Sequence, residues 1–223
     1  HHPGNAGDEH IGAQNQQIKR HAGALEIGEH THTHAGEEHA DLRRAAQDFF
    51  TRSFSWRVRV EPAAIAAAQS EVTLAPGTGL ELVRVDQVWW DGRELERETI
   101  ESLEYRDGNW YQRTGTVDAY TMLEFGVLRL YRIPTVGGSL TYMCSVKPDE
   151  TSTGLPDGLA SNHREAIVAK ALATLMLYPN RPWSNPSLAA VNEARYSMLC
   201  DKALSNSARG HVGARVHSRI RWL

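Results

Sequence analysis

The chain has 223 residues and a mass of 24.8 kDa, with 41% hydrophobic residues, 23% charged residues and a formal net charge of −3. That is the size of one globular body with or without tails, and its 18 Gly and 9 Pro exclude a collagen-like or wholly disordered class. Near neutrality excludes a general nucleic-acid binder, which needs a basic stripe wide enough to track phosphates. Apolar runs such as 63–68 fall far short of the roughly 20 residues that cross a bilayer, so no membrane partner is expected.

Charge is unevenly placed. Residues 1–41 hold seven acids (Asp8, Glu9, Glu26, Glu29, Glu37, Glu38, Asp41) against Lys19 and Arg20, a balance of −5. The last fifteen residues carry Arg209, Arg215, Arg219 and Arg221 and no acid, a balance of +4. Blocks of this kind read as interaction tails on a nearly neutral body. No basic segment followed by an apolar run opens the sequence, so no secretory signal is expected. Cys144 and Cys200 lie far apart in no CxxC pair and read as two half-buried thiols that pack as small hydrophobes.

In chain order, residues 1–35 offer few large apolar side chains beyond Ile11, Ile18, Leu25 and Ile27, so this arm orders only where a neighbour holds it. From Glu37 the helix period begins: Leu42, Ala45, Ala46, Phe49 and Phe50 share one side and predict a helix ending near Ser53. Alternation then starts at Phe54-Ser55-Trp56-Arg57-Val58-Arg59-Val60. Strands are expected at Val72–Leu74, Leu80–Trp90, Trp110–Gln112, Tyr120–Glu124, Gly126–Tyr131 and Ser139–Val146. Asp91-Gly92 marks a hairpin, and Asp107-Gly108-Asn109 and Val136-Gly137-Gly138 supply further turns. After Pro156 a second helix carries Ile167, Val168, Ala171, Leu172, Leu175 and Met176 and stops at Tyr178-Pro179-Asn180. Asn185 caps a third, with Pro186 in its first turn and Leu188, Val191, Met198, Leu199 and Leu204 expected on its inner face.

The fold class that follows is α+β: a helical body of about three helices, an inserted antiparallel β-sandwich or barrel, and extended N- and C-terminal arms. The expected divisions are an N-terminal arm (1–36), a helical body (37–55 and 149–208), a β insertion (56–148) and a C-terminal arm (209–223).

Few constellations carry chemistry. His30, His32 and His34 alternate, with His39 beyond, and imidazole suits transition metals. No apolar frame surrounds them to fix ligands, so they read as solvated or interface histidines, and no metal or cofactor is expected. Nucleophile elbows, HExxH, Walker loops and dinucleotide fingerprints are absent, and Gly77-Thr78-Gly79 lies between strands with no helix after it, so no catalytic residue is assigned. Glu101 and Glu104 read as a solvated face. Trp89, Trp90, Trp110, Tyr111, Tyr120, Tyr131 and Tyr142 read as sheet core and subunit contacts, because no register of Arg or Lys runs among them. The C-terminal peptide mixes Arg209, Arg215, Arg219 and Arg221 with Val216, Ile220, Trp222 and Leu223. The arginines suit carboxylates or phosphates, whereas the apolar anchors favour a protein groove.

A resemblance adds to this. The helix Leu42–Phe50 running into Arg52-Ser53-Phe54-Ser55-Trp56-Arg57, the strand Leu128-Arg129-Leu130-Tyr131-Arg132-Ile133-Pro134, and Leu155-Pro156 before an Ala-rich helix resemble tailed-bacteriophage head-to-tail adaptor (connector, or neck) proteins. The sharpest part is Tyr178-Pro179-Asn180-Arg181-Pro182-Trp183-Ser184-Asn185-Pro186-Ser187-Leu188-Ala189, similar to the family's junction between its last two helices. The likeness covers about residues 40–208; the His-rich N-terminal arm has no counterpart in it. It implies a non-enzymatic virion protein, assembled in the host cytoplasm as a homo-oligomeric ring of twelve copies that joins the portal protein to further tail or nozzle proteins. DNA would pass through its lumen without sequence-specific binding. The portal contact falls to residues 209–223, and above all to Arg209, Arg215, Val216, Arg219, Ile220, Arg221, Trp222 and Leu223. Two readings from other classes stand beside it. One is a tail-associated cell-wall or glycan hydrolase, which requires the four histidines to converge on one ion; the other is a glycan-binding module, which requires an exposed Trp89 or Trp90 platform.

Overall fold

The computed structural model describes residues 34–210, with side chains from His39 onward apart from that of Pro62. Two compact units divide between His39 and Ala40, and the architecture described belongs to the second. The class is α+β. Strands occupy the stretch from Arg57 to Pro148, with one long helix before them and two after.

Helix α1 (His34–Ser53) begins three residues before Glu37 and buries Ala45, Ala46, Phe49 and Phe50 as the period requires. Leu42, expected beside them, is partly exposed; Asp41 is buried in its place, its carboxylate 2.9 and 3.0 Å from the donating Tyr178 hydroxyl. The helix stops because Phe54 takes a left-handed conformation (φ 49°), while its N–H still reaches the Phe50 carbonyl at 3.1 Å.

One four-stranded sheet has the order β1-β10-β3-β4, from β1 (Arg57–Ile65), β3 (Leu80–Trp90), β4 (Arg93–Glu94) and β10 (Gly138–Pro148). Its register pairs Arg57 with Ser145 and Leu140 with Trp90. The β3–β4 hairpin turns at Asp91 and Gly92, both with positive φ, the geometry that matches strand twist. A second sheet has the order β2-β8-β7-β5, from β2 (Glu71–Thr73), β5 (Glu96–Arg97), β7 (Ala119–Glu124) and β8 (Val127–Tyr131). The β5–β7 pair is parallel, as is the short pair of β6 (Thr114–Gly115) with β9 (Ile133–Pro134), so the pairing is not purely antiparallel. Leu82, Val85, Val88, Leu128, Leu130, Leu140, Cys144 and Val146 fill the space between the two large sheets.

One expectation fails here, and one element was not foreseen. Trp110–Gln112 is a 3-10 turn and not a strand: the Asp107 carboxylate accepts from the Asn109 N–H at 3.1 Å, and the turn folds Trp110 onto Leu103, Ala119 and Tyr131. A short helix, α2 (Ile100–Arg106), precedes it, capped by Thr99, whose side chain accepts from the Ser102 N–H at 3.2 Å.

Helix α3 (Asp157–Leu175) buries Ala166, Ile167, Ala169, Ala171 and Ala173, and these small side chains let α4 (Pro186–Ala208) pack closely. Val168, Leu172 and Leu175 are only half-buried. The corner between the two helices is held from both sides. The Asn185 side chain accepts from Leu188 N–H at 3.1 Å, its own N–H donates to the Met176 carbonyl at 2.9 Å, and Asn180 takes a left-handed φ of 59°. The inner face of α4 is Ala189, Asn192, Tyr196, Cys200, Ala203 and Ser207, not the expected Val191, Met198 and Leu204, which are exposed. Size decides this: the wedge beside Phe49 and Phe50 is already full, and Tyr196 both fills it and satisfies its hydroxyl on Asp48 at 2.6 Å.

Candidate interaction surfaces

The strands and the helices meet at a fixed joint. Trp56 packs against both cores and makes an edge contact with Phe50 at 5.3 Å. Asp86 on β3 is its polar centre, with Arg84 at 2.7 Å, Arg57 at 3.6 Å and the Ser145 hydroxyl donating at 2.7 Å. The Arg84 guanidinium lies 4.0 Å over the ring of Phe54, the residue that ends α1. From the far side, the Ser207 hydroxyl donates to the Phe54 carbonyl at 2.7 Å, so the last turn of α4 ties down the same corner. Gln47 donates to the Pro148 carbonyl at 3.1 Å, and Arg43 to that of Glu150, so α1 also grips the chain as it leaves β10. This joint holds the strands and the helices in fixed relation.

Burial holds Cys144, Cys200 and Tyr196 toward their protonated forms. Burial pushes the Cys144 thiol up to about 11, and burial foremost also raises Cys200 and Tyr196. Glu101 and Glu104 are exposed on α2. Beside that helix lies a depression of about 290 Å³, open to solvent and lined by Ile100, Glu101, Tyr120 and Met122 among others.

Of the singled-out histidines, His39 is exposed, His34 opens α1, and His30 and His32 lie outside the described residues. Among the described residues no three His, Cys, Asp or Glu side chains gather as a metal site. Trp90, Trp110, Tyr120, Tyr131 and Tyr142 are buried, as core aromatics should be. Trp89 is half-buried with Arg59 5.4 Å above its ring, and Tyr111 is stacked by Arg129 at 4.1 Å, so neither Trp89 nor Trp90 offers the open platform that the glycan reading needs. Of the C-terminal residues, Arg209 is exposed just past α4, its N–H 3.2 Å from the Ser205 and Asn206 carbonyls. Arg215, Val216, Arg219, Ile220, Arg221, Trp222 and Leu223 lie outside the described residues.

The open surface is apolar in places that sequence reasoning assigned to the core. Val191 and Met198 project from α4 at 62% and 64% exposure, and Tyr105, Phe125, Val136, Leu177 and Trp183 are exposed elsewhere. The signal that separates the two sides of α4 was present: Asn192, Tyr196 and Ser207 each have a polar group that needs a buried partner, and the fold supplies one.

The described residues form strands and helices locked at one joint, with several large apolar side chains presented outward. A family model described as SU10 adaptor protein matches residues 24–220, and the chain belongs to that family. Its role is accordingly that of a structural adaptor of a bacteriophage, located in the virion and working among other head and tail proteins; the family is not one of enzymes. Comparison with curated proteins gives no match. No helix among the described residues is long and apolar enough to cross a membrane.

Proposed function

We propose that the protein is the head-to-tail adaptor that joins portal to tail, built as a ring of identical copies, twelve by family resemblance, with DNA passing through its lumen. The helical body (37–55 and 149–208) forms the ring, the β insertion (56–148) faces the tail side, and residues 209–223 reach the portal, with residues 1–36 a separate arm. A ring closes when each copy meets its neighbour through two different faces, which a cyclic arrangement permits. The lumen is best lined by acidic or neutral side chains, since each Lys or Arg contact adds salt-sensitive hold on phosphate. Assembly takes place in the host cytoplasm before the virion is complete.

One observation carries this reading. Among the described residues the core ends at Ser207, buried and bonded to Phe54, and the chain leaves it at an exposed Arg209, with Arg215, Arg219 and Arg221 and the apolar Val216, Ile220, Trp222 and Leu223 still to come. A peptide of this composition carries both charge and apolar anchors for a protein groove. Deleting residues 209–223 is expected to leave circular dichroism unchanged and to abolish the stable complex with the phage's portal protein in a pull-down. Replacing Trp222 and Leu223 by alanine should weaken the complex even at low salt, whereas arginine-to-alanine changes should matter less as salt rises. Normal portal binding by the truncated protein, with only DNA affinity lost, would make the arm a phosphate grip and overturn the assignment.

A further inference from the structure

Helix α4 has two working rows and the described fold uses one of them. Tyr196, Cys200, Ala203 and Ser207 face inward. On the opposite side Val191 and Met198 stand seven residues apart, two turns along the same side of the helix, and both are largely exposed. Beside them runs a basic row at the same interval, Arg195, Lys202 and Arg209, interrupted by Asp201. Arg195 pairs with Glu165 of α3 at 3.0 Å, while Lys202 and Arg209 have no ion-pair partner among the described residues. This row cannot pair with the same row of another copy, because like would oppose like.

The chain itself holds the complement. Ile11, Ile18 and Leu25 recur every seven residues in the N-terminal segment, with Asp8 and Glu9 at one end, Lys19 and Arg20 in the middle, and Glu26 and Glu29 at the other. The bases at 19 and 20 and the acids at 26 and 29 can answer Asp201, Lys202 and Arg209 on α4. Aligned in the same chain direction with Ile18 on Met198, the acids at 26 and 29 fall beside Lys202 and Arg209, and the bases at 19 and 20 beside Asp201. We propose that residues 8–29 of one copy dock along the outer row of α4 of a neighbouring copy, through Val191 and Met198 flanked by Lys202 and Arg209. This rests on the ring reading, which requires two different faces to meet between neighbours.

The test uses the full chain, assembled with portal where portal is needed. One batch carries Ile18→Cys and another Met198→Cys; the native Cys144 and Cys200 are buried and do not compete. Oxidising the mixed assembly should give a disulfide-linked pair of chains at ten times or more the yield seen when Ile18→Cys is mixed with Ser161→Cys, a control at an exposed site on α3. Lys202→Glu, which leaves the portal arm untouched, should lower that yield at least threefold, and adding Glu26→Lys with Glu29→Lys to the other batch should restore it. Equal yields with the control, a link that forms only within a chain carrying both cysteines, or no rescue by the charge swap would overturn the proposal. Light scattering separates this from the parent reading: a chain that stays monomeric with and without portal sinks the ring, whereas an intact oligomer without the link sinks only the docking.

Discussion

At Gly138 a hydrogen atom occupies the only space the neighbouring strand leaves. A Cβ there would lie 2.3 Å from Cζ2 of Trp90 and 2.9 Å from the Asp91 carboxylate, in a register that pairs Leu140 with Trp90. Gly138→Ala should cost about 1–3 kcal/mol in denaturant unfolding, the usual range for overpacking, whereas Gly154→Ala, which meets nothing within 4 Å, should change little. Cys144 sets a second expectation. Its thiol is pushed up to about 11 from an ordinary 9.0 by burial. Between those values the unfolded chain has lost the proton and the folded one keeps it, so the unfolded state binds fewer protons and stability falls as pH rises, by roughly 1.4 kcal/mol per unit. Cys200 and Tyr196 are raised too and add in the same direction. Melting temperature should be flat between about pH 6 and 8 and drop progressively above 9, and Cys144→Ala should flatten part of that slope.

Among the elements, α4 shows where pattern stops deciding. Met198→Lys should leave the melting temperature nearly unchanged, since the side chain is 64% exposed, whereas Tyr196→Ala should cost about 3–5 kcal/mol by opening a cavity between α1 and α4. A reading by hydrophobicity alone gives the opposite order. The long elements were legible: α1 ends at Ser53 as expected, β3 spans Leu80–Trp90, and β10 and both late helices fall within a few residues of their expected bounds. Their periods run over many residues and their ends carry caps and turns. Helix α2 was not legible because its seven residues hold one buried apolar side chain, Leu103, too few to show a period. Trp110–Gln112 looked like strand because aromatic residues favour strands, yet the Asp107 turn governs it. The inner side of α4 was misread because its buried residues are Ala, Asn, Tyr, Cys and Ser, while its largest aliphatics face outward. Of the arm residues offered for the portal contact, Arg209 alone lies within the described residues, so the sequence remains the ground for the others.

For the molecule as a whole, the two large cores behave as one only as far as the joint between them holds. Trp56 belongs to both cores, and Asp86, Arg84, Phe54 and Ser207 surround the same corner. Trp56→Ala should remove about 3–4 kcal/mol and, beyond that, split thermal unfolding into two transitions, one for the strands and one for the helices. A single calorimetric peak that shifts without broadening would mean that the polar contacts alone couple them. An adaptor gains from such coupling, because a load applied to the strands reaches the helices without a hinge to absorb it.

The open side of β1 bears on how such a protein survives its own abundance. The strand borders its sheet, its register slips between Val60 and Ala63 where Pro62 interrupts the ladder, and Arg57, Arg59 and Glu61 alternate along it. Proline, a bulge and alternating charge each blunt an edge that would otherwise recruit strands from other chains. If the protein forms the proposed ring, its copies meet one another's sheet borders during assembly. With this border closed to stray pairing, association is left to side-chain faces that can be read selectively, and crowding favours assembly over fibrous aggregation.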